Sequence, residues 1–135
     1  MKAALLKGLN YFEIEEIEKP VPSDHEVLVK VKAAGICGSD IHKMQNEWKY
    51  ELPMVTGHEF SGVIESIGTE VKKVSVGDRV AIAPLIPCHE CTYCKSGKYQ
   101  LCENYTMIGS HRYGGFEEYV TVPEENVINI GENIS

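Results

Sequence analysis

No long apolar run occurs in this chain of 135 residues, and that absence is the first constraint on what it does. The stretch Ala3 to Leu6 is interrupted by Lys7 and Gly8, so neither a signal peptide nor a membrane span is expected. The sequence also lacks a basic excess. Thirteen Lys and Arg face twenty Asp and Glu, a formal charge of −7, which argues against nucleic acid, whose phosphates need clustered cations. Nowhere does a G-x-G-x-x-G follow a strand-like segment, so no dinucleotide-binding fold is contained here. There is no repeat and no low-complexity tract. Residues 1–135 read as one domain, long enough to bury about two thirds of the surface of its unfolded form.

What is present in quantity is cysteine in one place. The run PCHECTYCKSGKYQLCEN gives Cys88, Cys91, Cys94 and Cys102 in the spacing C-x2-C-x2-C-x7-C. The two short gaps let neighbouring thiolates turn onto one ion, and Lys95, Ser96 and Gly97 form a turn that returns Cys102 to complete a tetrahedron. Four sulfur ligands leave no open position, so this is a structural zinc site. An iron–sulfur cluster is the weaker reading, because the final gap is seven residues and Glu103, not proline, follows. Disulfides are weaker still, with three cysteines inside seven residues and no secretory context. All five cysteines have a reduced explanation, and the expected location is cytoplasmic.

The remainder reads as mostly β, with six or seven short strands and about two short helices. Strands are predicted at KAALLK and YFEIEEIE, joined by a turn at Gly8 to Asn10, the Glu-rich one being a solvated edge. The segment Glu26 to Ala34 alternates apolar and charged, with Val27, Val29 and Val31 on one face and Lys30 and Lys32 on the other. GICGSDIHKM then predicts a short helix to Met44, capped by Ser39 or Asp40, with Cys37 at its entrance, where helix amides favour a thiolate. Trp48, Tyr50, Leu52 and Pro53 read as an aromatic packing loop. A strand is predicted beside His58 through Ile67, others in VGDRVAIAP, from Phe116 to Val122 after a turn at Gly114 and Gly115, and from Asn126 to Ile130.

Cys37, His58 and Glu59 make a second, more open ligand set of the kind a catalytic zinc uses, although spacing alone gives it little weight against a buried thiol and an ordinary polar pair. At this point the chain resembles the zinc-dependent medium-chain alcohol and polyol dehydrogenases. The matching pieces are GICGSDIH, GHEFSGVI, VGDRVA, the four-cysteine lobe and GGFEEY, in that order and over nearly the whole chain. APLIPC and YTMIGSHRYGGF are most similar to the galactitol-1-phosphate branch, with sorbitol- and threonine-type members next.

The resemblance implies a GroES-like β-barrel with a protruding zinc lobe. It also implies that Cys37 and His58 hold a catalytic zinc with Glu59 as a direct, exchangeable or neighbouring ligand. Ser39 would hydrogen-bond the substrate oxygen and His42 would pass its proton to solvent. The implied reaction oxidises a secondary alcohol of a polyol or polyol phosphate with NAD(P), in a homo-oligomer when full length. The family's Rossmann NAD-binding domain and a further zinc ligand are absent from this sequence, so the chain alone is expected to be inactive. For a phosphorylated substrate the local cations are Lys43, Lys49, His111 and Arg112, of which Arg112 is best suited to a bidentate contact. A rival class is a non-catalytic zinc module for assembly, which has no reason to carry CGSDIH and GHE together.

Overall fold

A computed structural model describes residues 1–46 and 51–134. The chain order is β1 (Lys2–Gly8), β2 (Tyr11–Glu16), β3 (Glu26–Gly35), α1 (Gly38–Gln45), β4 (Met54–Val55), β5 (Glu59–Ile67), β6 (Arg79–Ile82), β7 (Leu85–Ile86), α2 (Thr92–Lys95), β8 (Thr106–Met107), β9 (Tyr119–Pro123) and β10 (Val127–Asn129). The strands form sheets in the orders β2-β1-β4, β10-β6-β5-β3-β9 and β7-β8, with every strand pair antiparallel. The expected mostly-β fold with two short helices is therefore what forms. Trp48, Lys49 and Tyr50 of the expected aromatic loop lie outside the described residues. No described helix is long and apolar enough to cross a membrane.

The alternation in β3 places Val27 and Val29 in the main core with Ile64, Val80, Val120 and Val122. Leu28 is buried as well, which simple alternation did not predict. β3 is the inner strand between β5 and β9, and its register against β5 shifts between Leu28 and Val29, an irregularity that breaks the simple alternation at this point. β2 is the edge expected from its glutamates, and Lys7 of β1 reaches across to the carboxylates of Glu13 and Glu15.

Phe116 to Glu118 are not strand, contrary to the expected start of β9. These three residues instead sew the small sheet to the large one. Ala4 N donates to Phe116 O at 2.8 Å, Glu118 N to Lys2 O at 3.1 Å, and Val31 N to Glu118 O at 3.0 Å, with Ala3 bridged to Glu117. The seam carries Glu117 into the interior, where it is 7% exposed and its Oε2 has no hydrogen-bond partner among the described residues. Burial pushes its carboxyl up from 4.5 to about 8.

An unfolded chain ionises Glu117 near its ordinary value, whereas the folded chain keeps it protonated. The contribution to stability is therefore complete below pH 4.5 and is lost as pH rises toward 8. Glu117→Gln should flatten urea-unfolding stability across that window and stabilise the protein at pH 8 by roughly 2–4 kcal/mol. A parallel pH profile for variant and parent would contradict this.

Candidate metal centre and active site

The lobe grows from the short β7–β8 ladder, in which Leu85 pairs with Met107 and Ile86 with Thr106. Its neck is held to the barrel by Asn126, whose Nδ2 donates to Ala83 O at 2.7 Å and Leu85 O at 2.8 Å. His89, with a left-handed φ of 57°, lies 2.8 Å from Glu125 and makes a second tie. Inside, Cys91 caps α2, and the chain then turns at Ser96 and Gly97 into a 3-10 turn, Tyr99–Leu101, that delivers Cys102.

The sulfur atoms of Cys88, Cys91, Cys94 and Cys102 all lie within 4.8 Å of one another, and Cys88 Sγ is 3.9 Å from Cys94 Sγ. Zinc–sulfur bonds in a tetrahedron set sulfurs about 3.8 Å apart. The four donors thus fit one ion, too tightly for a multi-iron cluster, and none forms a disulfide. Backbone N–H groups already face the sulfurs: Cys88 N to Cys102 Sγ at 3.3 Å and Cys94 N to Cys91 Sγ at 3.5 Å. Such donation, from Cys94 and Glu103, brings the Cys91 thiol down to about 6, while burial drives Cys94 up to about 12. Zinc would bind here only by displacing a proton from Cys94.

The second cluster is assembled from the ends of two β-barrel elements. β3 ends at Gly35, Cys37 takes the extended N-cap position of α1, and β5 begins at Glu59 directly after His58. Ligand atoms of Cys37, His58 and Glu59 come within 4.8 Å of one another, with His58 buried and Glu59 exposed. A thiolate, an imidazole and a carboxylate open to solvent on one side suit a zinc ion that keeps a position for substrate. Of the two caps expected for the helix, one is used. Asp40, not Ser39, closes it, its Oδ2 accepting from Cys37 N at 2.9 Å.

Asp40 has a further role that capping logic missed. It is 4% exposed, and its Oδ1 lies 3.6 Å from His58 Nδ1, while His58 Nε2 lies 3.9 Å from Glu59 Oε1. The carboxylate stands behind Nδ1, on the side of the ring away from Glu59, and Nε2 faces the ligand cluster. A buried acid three residues after a cysteine at a helix entrance was the available sequence signal. Ser39 and His42 both lie exposed on α1, three residues apart and so on one face.

His58 is placed by the backbone before it. Gly57 has φ +89°, and a Cβ there would come 2.7 Å from the Phe116 ring. Its carbonyl accepts from Gly115 N at 2.7 Å.

The cations considered for phosphate are differently occupied. Arg112 Nη2 donates to Glu26 Oε1 at 2.6 Å and to Thr121 O at 3.0 Å. Burial opposes ionisation of Glu26, but donation from Arg112 and Ser23 prevails and holds its carboxyl below the usual range. Lys43 is 6% exposed and donates to Gly109 O at 2.9 Å. His111 Nδ1 accepts from Met107 N at 3.1 Å. Lys49 lies outside the described residues.

A β-fold that brings Cys37, His58 and Glu59 together and carries a four-cysteine lobe is shared with known proteins. Residues 23–132 match the alcohol dehydrogenase GroES-like domain, and the chain belongs to the zinc-dependent medium-chain alcohol and polyol dehydrogenase family. It is 43% identical over 136 residues to the starvation-sensing protein RspB of Escherichia coli, covering 100% of this chain and 40% of that protein. It is 42% identical over 112 residues to L-galactonate-5-dehydrogenase of the same organism, covering 82% of this chain and 33% of that one. The crystal structure of galactitol-1-phosphate dehydrogenase from Escherichia coli superposes with a TM-score of 0.95 at 36% identity, over 100% of this chain and 39% of that chain. The chain thus spans about two fifths of the length of these proteins.

Gly57→Ala should destabilise the purified protein by about 2 kcal/mol or more in urea, from left-handed strain together with the clash on Phe116. Cys102→Ser should abolish tight zinc at the lobe, read as metal per chain after dialysis against a chelator.

Proposed function

We propose that this chain is the zinc- and substrate-binding domain of an NAD(P)-dependent dehydrogenase that oxidises a secondary alcohol of a polyol to a ketone. The observation that carries this reading is the convergence of Cys37, His58 and Glu59 at one point, beside an exposed Ser39 and His42 on the same helix. When bound, zinc supplies a Lewis acid that lowers the pKa of an alcohol, and NAD(P) supplies the hydride acceptor. Cys37, His58 and Glu59 would hold the metal, and the carboxylate of Asp40 stands 3.6 Å behind the imidazole of His58. The Ser39 hydroxyl accepts the substrate's proton in a hydrogen bond and His42 delivers it to solvent. The four-cysteine lobe holds structure only, since its ligand set is closed.

The domain that binds NAD(P), and a further ligand to the catalytic zinc, belong in this reading to the rest of the enzyme, so the chain alone does not turn over substrate. An unphosphorylated polyol or sugar-acid substrate is better supported than a polyol phosphate. Arg112, the cation best shaped for phosphate, is committed to Glu26 and Thr121, and Lys43 is buried. The named activity of the L-galactonate relative supports the same choice.

The test is steady-state kinetics of the complete enzyme with a panel of polyols. Ser39→Ala should lower kcat/KM by roughly 10²–10⁴-fold, the range for a lost proton-transfer group, while leaving the zinc content unchanged. His42→Ala should slow turnover most at low pH and be partly rescued by a small imidazole buffer. Full activity in Ser39→Ala would overturn the proton path, and an enzyme equally active after His58→Ala would overturn the site.

A further inference from the structure

One buried cation close to the candidate active site has no part in the chemistry above. Lys43, on the second turn of α1, is 6% exposed, and its Nζ lies 3.7 Å from Asp40 Oδ1, an ion-pair contact longer than a hydrogen bond. The same ammonium donates to Gly109 O at 2.9 Å. Asp40 Oδ1 makes no hydrogen bond among the described residues and is enclosed between this ammonium and His58 Nδ1. Lys43, Asp40 and His58 therefore form a continuous buried chain, with exposures of 6%, 4% and 8%, leading from the loop after the cysteine lobe to a candidate ligand.

We propose that Lys43 is a positioning residue for the catalytic metal site, holding the Asp40 carboxylate in place beside His58 and tying both to the Gly109 loop. The proposal rests on reading Cys37, His58 and Glu59 as a metal site. An isolated carboxylate at such depth is costly, and the Lys43 ammonium 3.7 Å away offsets that cost and fixes where the carboxylate stands. Without that ammonium the carboxylate is free to move away from His58 Nδ1, and the imidazole loses the neighbour behind it that keeps Nε2 toward Glu59. The contact to Gly109 adds a mechanical component. A Cβ at Gly109 would come within 2.6 Å of Gly57 O, so the loop gripped by Lys43 also touches the residue immediately before His58. The position of Lys43 thus bears on both the side chain and the backbone of that ligand.

The test is a competitive cobalt titration of the complete enzyme against a chelator, using the lobe equivalent as an internal standard and following the second equivalent by its visible spectrum. Lys43→Met should weaken the second equivalent by roughly 10–100-fold, the range for losing a group that orients a ligand, with no change at the lobe. Lys43→Arg, which keeps the charge, should recover most of it. In an Asp40→Asn background Lys43→Met should have little further effect, because the two act as one unit. That neutral pair also leaves no unpaired buried charge, so the comparison holds even where the single variant folds poorly. Equal weakening at both sites, additive effects of the two substitutions, or an unchanged second equivalent would overturn the proposal. Failure of the parent protein to take a second equivalent would overturn the metal-site reading and this inference with it.

Discussion

The structure depends on one close approach of backbone to backbone. The carbonyl of Gly57 accepts from Gly115 N, and Cβ atoms placed on Gly109 or Gly114 would stand 2.6 and 2.1 Å from that same oxygen. Four glycines from two distant parts of the chain thus permit a contact that no other residue allows. On one side of it the chain runs through His58 into β5. On the other, Phe116 to Glu118 close the small sheet onto the large one. The packing that completes the barrel also sets where the imidazole stands, so fold stability and site geometry share one contact.

Two buried carboxyl groups show how environment separates roles. Asp40 has a cation, a backbone N–H and an imidazole around it and belongs to a network. Glu117 has none of these, and burial alone drives its carboxyl toward the neutral form. A carboxylate is affordable in the interior only where its neighbours replace water. Asp40 can therefore act on His58, whereas Glu117 is a cost of the seam.

Much of this was legible in the residues. C-x2-C-x2-C-x7-C required a closed lobe, and the alternation of β3 required a half-buried strand, because both rest on local geometry. The two-residue strands β4, β7 and β8 were not legible, since so short a ladder has no periodicity of its own and exists only because its partner is delivered from elsewhere. The burial of Leu28 was missed for the related reason that the register shift beside it depends on the pairing with β5, which is not written into its own segment. Asp40 was visible as a cap but not as a partner of His58, eighteen positions along the sequence. Arg112 looked available for an anion because nothing in its own segment announces Glu26.

The two ligand clusters differ in a way that follows from how each is held. The lobe draws four sulfurs from fifteen consecutive residues, with their N–H groups turned onto the sulfurs by a short helix and a 3-10 turn. Its ligand set is local and complete. Cys37 and His58 come instead from separate elements, and Glu59 stands exposed at the mouth. A site built across elements can be left one ligand short, because the barrel and not the metal keeps its donors in place. In the proposed reading the first arrangement suits a structural ion and the second a catalytic one, with the Gly57 contact and the Lys43–Asp40 chain behind it keeping the donors of the second in place.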